Sequence, residues 1–186
     1  MRRRALLVLG AGALAALAGC AAPRLAPPQQ NASIELAGRL SLVSGPAEAQ
    51  KALYGGFRLV LQGQEAGEFE VFSPLGQMLA RARWSPGQAS LDDGRQTQRF
   101  ASFDAMTRAA LGVALPQAAL QDWVRGQPAS ALPSQELPDG AFVQLGWTVR
   151  PVWRDGRLAL LQAQRGGADP AQLRMVIDAA SGATAR

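Results

Sequence analysis

The chain of 186 residues contains no histidine and a single cysteine, Cys20. Those two scarcities remove most nucleophilic and metal chemistry: neither a Ser-His-Asp nor a Cys-His arrangement can be assembled, nor a zinc site built on His or Cys. No disulfide can close within the chain, so stability must rest on packing. Lysine is represented by Lys51 alone, and the other cations are single arginines scattered along the sequence. The pI of 10.9 suggests nucleic acid at first sight. Three of the 19 basic residues, however, are Arg2, Arg3 and Arg4, and without them 16 cations face 14 acidic groups. No block of like charge tracks a phosphate backbone, so no nucleic-acid partner is expected. An enzyme would need an acidic pair converging in a pocket, but Asp92-Asp93 runs into Gly94 as turn residues do. No Gly-rich phosphate loop is present either. Neither catalysis nor a cofactor or metal is expected.

What the chain does have begins at its first residues. Arg2 to Arg4 precede an apolar run from Ala5 to Ala18, followed by Leu17-Ala18-Gly19-Cys20. A basic start, an apolar stretch too short to span a bilayer stably and small residues before the break describe a secretory signal over residues 1–19. Leu-Ala-Gly-Cys resembles the bacterial lipobox, which implies that Cys20 is linked to diacylglycerol, becomes the first residue and is N-acylated. Cleavage elsewhere, for example after Ala22, is the alternative. By resemblance to enterobacterial sorting signals, Ala21 in place of Asp favours the outer membrane. Residues 20–32, rich in Pro, Ala and Gln, read as a lipidated N-terminus and flexible tether. The remainder, residues 33–186, suffices for one domain with a sizeable core.

From Ser33 onward period-two alternation dominates. Ile34, Leu36, Leu40 and Leu42 share one face while Glu35, Arg39 and Ser41 share the other. Phe57, Leu59 and Leu61, then Phe69 and Val71, then Met78, Ala80, Ala82 and Trp84 repeat the pattern with turns between them. The period then changes. Ser102 or Asp104 can cap a helix with the stripe Phe103, Met106, Ala110 and Leu111, stopped by Gly112. A second short helix after Pro116 carries Leu120, Trp123 and Val124. Beyond a Pro-rich loop, Val143, Leu145, Trp147 and Val149 alternate as one strand, and strands recur at Leu158 to Leu161 and Leu173 to Ile177. An antiparallel meander interrupted by two helices must fold them back over its apolar face.

Two features point beyond packing. In Ser73-Pro74-Leu75-Gly76, Pro suits position i+1 and Gly i+3 of a type I turn, leaving Leu75 outward at the tip. Lone exposed leucines are common, yet on a membrane-tethered protein such a residue can touch lipid or a partner. Trp84, Trp123, Trp147 and Trp153 are either core rings or the lining of a cavity. Trp123 lies on the segment that has to cover the sheet.

Gly38-Arg39-Leu40-Ser41, Ser-Pro-Leu-Gly at 73 to 76, Leu111-Gly112 with Leu115-Pro116, Leu120-x-x-Trp123-Val124-x-Gly126-x-Pro128, Gly146-Trp147 and Leu173 to Ile177 occur in this order. Together they resemble the LolB family of outer-membrane lipoprotein receptors. The resemblance implies an α+β fold, mainly β: a half-open antiparallel β-barrel covered by a helical lid over a hydrophobic cavity. It implies that the chain takes acylated lipoproteins from the periplasmic carrier LolA and places them in the outer membrane, working as a lipid-anchored monomer on the periplasmic face. It assigns membrane insertion to Leu75 and the cavity to Leu59, Trp123 and Trp147. Two departures bear on cavity detail: Leu59 stands where some members have Trp, and residues 179–186 lack a terminal Trp. A lipoprotein holding another hydrophobic ligand, or acting structurally, is the competing reading.

Overall fold

The computed structural model describes residues 33–182. The signal, Cys20 and the tether expected over residues 1–32 lie outside the described residues. Eleven strands, two α-helices and one short 3-10 helix (Ala47–Ala49) follow: β1 (Ser33–Ser44), β2 (Lys51–Gln62), β3 (Ala66–Phe72), β4 (Met78–Ser85), β5 (Gln88–Asp92), β6 (Thr97–Phe100), α1 (Phe103–Leu111), α2 (Gln117–Trp123), β7 (Ser134–Glu136), β8 (Phe142–Gln144), β9 (Trp147–Arg154), β10 (Arg157–Arg165) and β11 (Ala171–Gly182). All strands join one antiparallel sheet in the order β6-β5-β4-β3-β2-β1-β11-β10-β9-β8-β7. The first and last strands meet at its centre, and β6 and β7 are free edges. The fold is mainly β, and its sheet is not closed.

Alternation decides the faces. Leu36, Leu40 and Leu42 of β1, Phe57, Leu59 and Leu61 of β2 and Leu161 and Ala163 of β10 are all buried on the inner side. The outer side of β2 to β4 carries charge instead. Arg58 and Arg81 flank Glu70 across the strands, and Arg83 bonds Glu68 at 2.5 Å. Arg58 and Arg81 contact the Glu70 carboxylate, which is buried although it lies on the outward face. Such half-exposed pairs contribute modestly to stability, and mainly as a network.

Gly38 shows why the sequence motif needs glycine. Register shifts at Ala37/Gly38 where β1 meets β11, and a Cβ at Gly38 would stand 2.0 Å from the carbonyl oxygen of Val176. The strand expected from Val143 to Val149 is in fact two. Gln144 pairs directly with Trp147, and Leu145 and Gly146 form a two-residue turn with φ of 51° and 77°. Both central residues of such a tight hairpin need positive φ, a cost that alternation alone does not reveal for Leu145. β6 and the three-residue β7 also escaped the sequence pattern, since their residues are nearly all exposed and polar.

Candidate functional site

Two helices pack on the inner face, each held at its ends by identifiable groups. Ser102 caps α1 by accepting the Ala105 N–H at 3.1 Å, and Gly112 ends it in the left-handed conformation. At that C-terminus the Ser44 hydroxyl donates to the Leu111 carbonyl, while Lys51 Nζ donates to the carbonyls of Ala109 at 3.1 Å and Ala110 at 3.3 Å. The single lysine of the chain thus sits where free carbonyls and the helix dipole favour a cation. The indole of Trp84 packs on Phe103 with ring centroids 4.5 Å apart. α2 is tied to the β2–β3 turn, because Gln121 Nε2 donates to Gly63 O at 2.9 Å and Gln117 Nε2 to Glu65 O at 2.9 Å.

Between the helices and the sheet lies a pocket of about 260 Å³. Leu40, Leu59 and Ala82 contribute its sheet wall, Met106 and Leu111 the α1 wall, and Leu120 the α2 wall. Two side chains in the lining carry a nitrogen or oxygen, Trp84 and Thr107, and the Thr107 hydroxyl is satisfied: it donates to Asp104 O at 3.2 Å and accepts from Leu115 N–H at 3.0 Å. The other lining side chains are hydrocarbon apart from the thioethers of Met106 and Met175. The pocket volume of about 260 Å³ exceeds the ~150 Å³ of apolar cavities that admit benzene, and recognition within it rests mainly on apolar contact.

The residues singled out in the sequence fall in three places. Leu59 is in the pocket wall and 1% exposed. Trp123 and Trp147, expected at the cavity with it, are not part of that wall. They lie side by side in an adjoining packed cluster, 6.2 Å between ring centroids, with Phe142 6.4 Å from Trp123. The reason is polar: Trp123 Nε1 donates to Gln144 Oε1 at 2.9 Å, which fixes the indole against β8. Leu75 stands apart from both, 87% exposed at the β3–β4 tip. Gly76 N–H bonds Ser73 O at 2.9 Å, and the Ser73 hydroxyl accepts from the N–H groups of Leu75 and Gln77 at 3.2 Å. The turn itself thus holds Leu75 outward.

Gln144 is the residue that sequence reading missed. It is fully buried, and its amide makes four bonds: Oε1 accepts from Trp123 Nε1 and Ala129 N–H, and Nε2 donates to the carbonyls of Ala129 at 3.0 Å and Leu132 at 3.1 Å. One side chain thereby binds the end of α2 and the following Pro-rich loop to the sheet. A lone Gln between apolar residues in a strand was the available signal.

Comparison with known proteins agrees with this architecture. Residues 32–178 match the family described as Outer membrane lipoprotein LolB. The chain is 34% identical to the outer-membrane lipoprotein LolB of Cupriavidus necator over 190 residues, covering 95% of this chain and 96% of that protein. It is also 34% identical to the proteins of that name from Ralstonia nicotianae, covering 92% and 94%, and Thiobacillus denitrificans, covering 88% and 90%. With the ordered motifs each placed in the fold, and the match spanning nearly the whole described domain, this chain belongs to the LolB family of outer-membrane lipoproteins.

Proposed function

We propose that the chain is a receptor that takes acylated lipoproteins from the periplasmic carrier LolA into the apolar pocket and inserts them into the outer membrane. The observation that carries the reading is the pocket itself, walled almost wholly by apolar side chains from the sheet and both helices. At about 0.8 kcal/mol per methylene, three acyl chains released into water would forfeit tens of kcal/mol. A client therefore has to pass from one apolar environment to the next, downhill, without crossing water. In this reading α1 and α2 are the lid of a half-open barrel, and Leu75 engages the bilayer at delivery. Cys20 is the lipid-bearing first residue of the mature chain, which works as a monomer on the periplasmic face of the outer membrane and is not an enzyme. Among the described residues no helix is long and apolar enough to cross a membrane.

A two-stage assay tests this reading: lipoprotein is loaded from LolA, then chased into liposomes. Ala80→Phe, which fills the pocket, should reduce loading at least tenfold while costing the fold about 1–3 kcal/mol. Leu75→Glu should leave stability within about 0.5 kcal/mol, load normally and fail at delivery. Loading by a folded Ala80→Phe variant at the wild-type level would remove the pocket from the mechanism. Trp123→Glu is not a test of the pocket, because it destroys a buried core contact instead.

A further inference from the structure

Leu75 is not the only apolar group at its end of the sheet. Tyr54 is 59% exposed, and Met78 and Leu79 are more than 40% exposed. Their placement follows from register. Leu53 is in the pocket wall, so Tyr54 on the same strand faces the other way, with Arg58. Gly56 pairs with Phe72, and a Cβ at Gly56 would stand 3.7 Å from the Phe72 Cβ, which places Phe72 on that outer face as well. Phe72 pairs with Met78, and the register shift there leaves Leu79 as an extra residue in β4. The outer face of this hairpin is therefore banded. Leu75 lies at the turn and Tyr54, two residues beyond Gly56, lies toward the same end; Phe72, Met78 and Leu79 complete an apolar belt, and the paired charges Arg58, Glu70 and Arg81 follow.

We infer that this whole belt, and not Leu75 alone, seats in a lipid bilayer, with Leu75 and Tyr54 leading and the charge ladder at its aqueous limit. The inference rests on the proposed delivery role of Leu75. A largely apolar end followed by charges reproduces the polarity profile of a bilayer surface. From Leu75 to the level of Phe72 and Met78 is three residues, roughly 10 Å, about the depth reached by interfacial segments. A protein partner fits less well: five side chains from one turn and the strand ends beside it fall far short of the ~800 Å² per side that a stable interface buries. The tether has the required reach. Phe72 is level with Arg39 through Gly56, so the tip lies roughly 30 Å along the strands from Ser33. Thirteen residue steps separate Cys20 from Ser33, a span of up to about 45 Å, so anchor and hairpin can occupy one leaflet.

The test uses the full lipidated chain in phosphatidylethanolamine and phosphatidylglycerol vesicles, where an introduced thiol is the sole free one because Cys20 is acylated. A polarity-sensitive dye is placed at Leu75→Cys, Met78→Cys, Tyr54→Cys or, on the same face farther from the tip, Val60→Cys, and is quenched by nitroxide-bearing lipid. The expected quenching is greatest at Leu75 and Tyr54 and lower at Met78, with Met78 at least threefold above Val60. Met78→Asp should slow delivery to liposomes roughly tenfold with loading unchanged, and Met78→Leu should not. Dyes at Met78 and Tyr54 quenched no more than Val60 would overturn the belt while leaving the role of Leu75 standing. A response that appears only on adding the carrier protein would make the surface a protein contact and overturn it too. If the dyes seat as expected but the wild-type chain accepts no lipoprotein, the transfer reading falls and the seating stands.

Discussion

Gln144→Leu would remove the one polar side chain that binds α2 and the loop after it to the sheet. The substitution preserves size and apolar fit, so its effect isolates the hydrogen bonds. Of the four groups bonded to the amide, the Ala129 carbonyl keeps a second donor, the Leu132 N–H at 3.1 Å, and the Leu132 carbonyl is only partly buried. Trp123 Nε1 and the Ala129 N–H, both in buried residues, lose their acceptor. A stranded buried donor costs about 1–3 kcal/mol, so two cost about 4 kcal/mol in the middle of the range. For a domain of this size that lowers Tm by about 8–16 °C. Gln144→Glu sharpens the test. A carboxylate still accepts from both donors, but its second oxygen faces two carbonyls, which favours the protonated form and raises the folded pKa above the unfolded ~4.3. Stability is then greatest below that unfolded value and is lost as pH rises toward the raised one, by up to about 1.4 kcal/mol per pH unit. Urea unfolding followed by tryptophan fluorescence at pH 4 to 7 measures both variants. Gln144→Leu within about 1 kcal/mol of wild type, or a pH-independent Gln144→Glu, would refute the accounting.

Other expectations follow from single residues. Cys20→Ala should accumulate an unlipidated precursor, and labelled palmitate entering that variant would exclude the lipid assignment. Gly38→Ala should cost about 3 kcal/mol, since the added methyl meets backbone at 2.0 Å and cannot move aside; an unchanged urea midpoint would show that β1 and β11 can separate freely there. The Asp139 carboxyl is held below its usual range, first by the hydrogen bond from Arg150 and then by the Ala141 N–H. Its contribution is present above the unfolded value of ~3.9 and is lost as pH falls through the folded one. Asp139→Asn should accordingly flatten the stability curve below about pH 4, and acid titrations of the two proteins will tell.

Much of the molecule was legible in order along the chain. Alternation placed Leu36, Leu40, Leu59 and Ala82 on the inner face, because a half-buried antiparallel sheet imposes a period of two. The caps at Ser102 and Gly112 were readable because helix ends have local requirements. The outward Leu75 was readable because a Pro-Gly turn dictates its own geometry. Tertiary structure decided what depends on partners distant in sequence. The turn at Leu145 and Gly146 is set by the pairing of Gln144 with Trp147, which splits an otherwise unbroken alternation. Whether a tryptophan lines a pocket or fills a core depends on where its N–H finds an acceptor, and for Trp123 that acceptor is 21 residues away at Gln144. The pocket itself belongs to no segment: it exists only where Leu59, Met106 and Leu120, from a strand and two helices, stop short of one another.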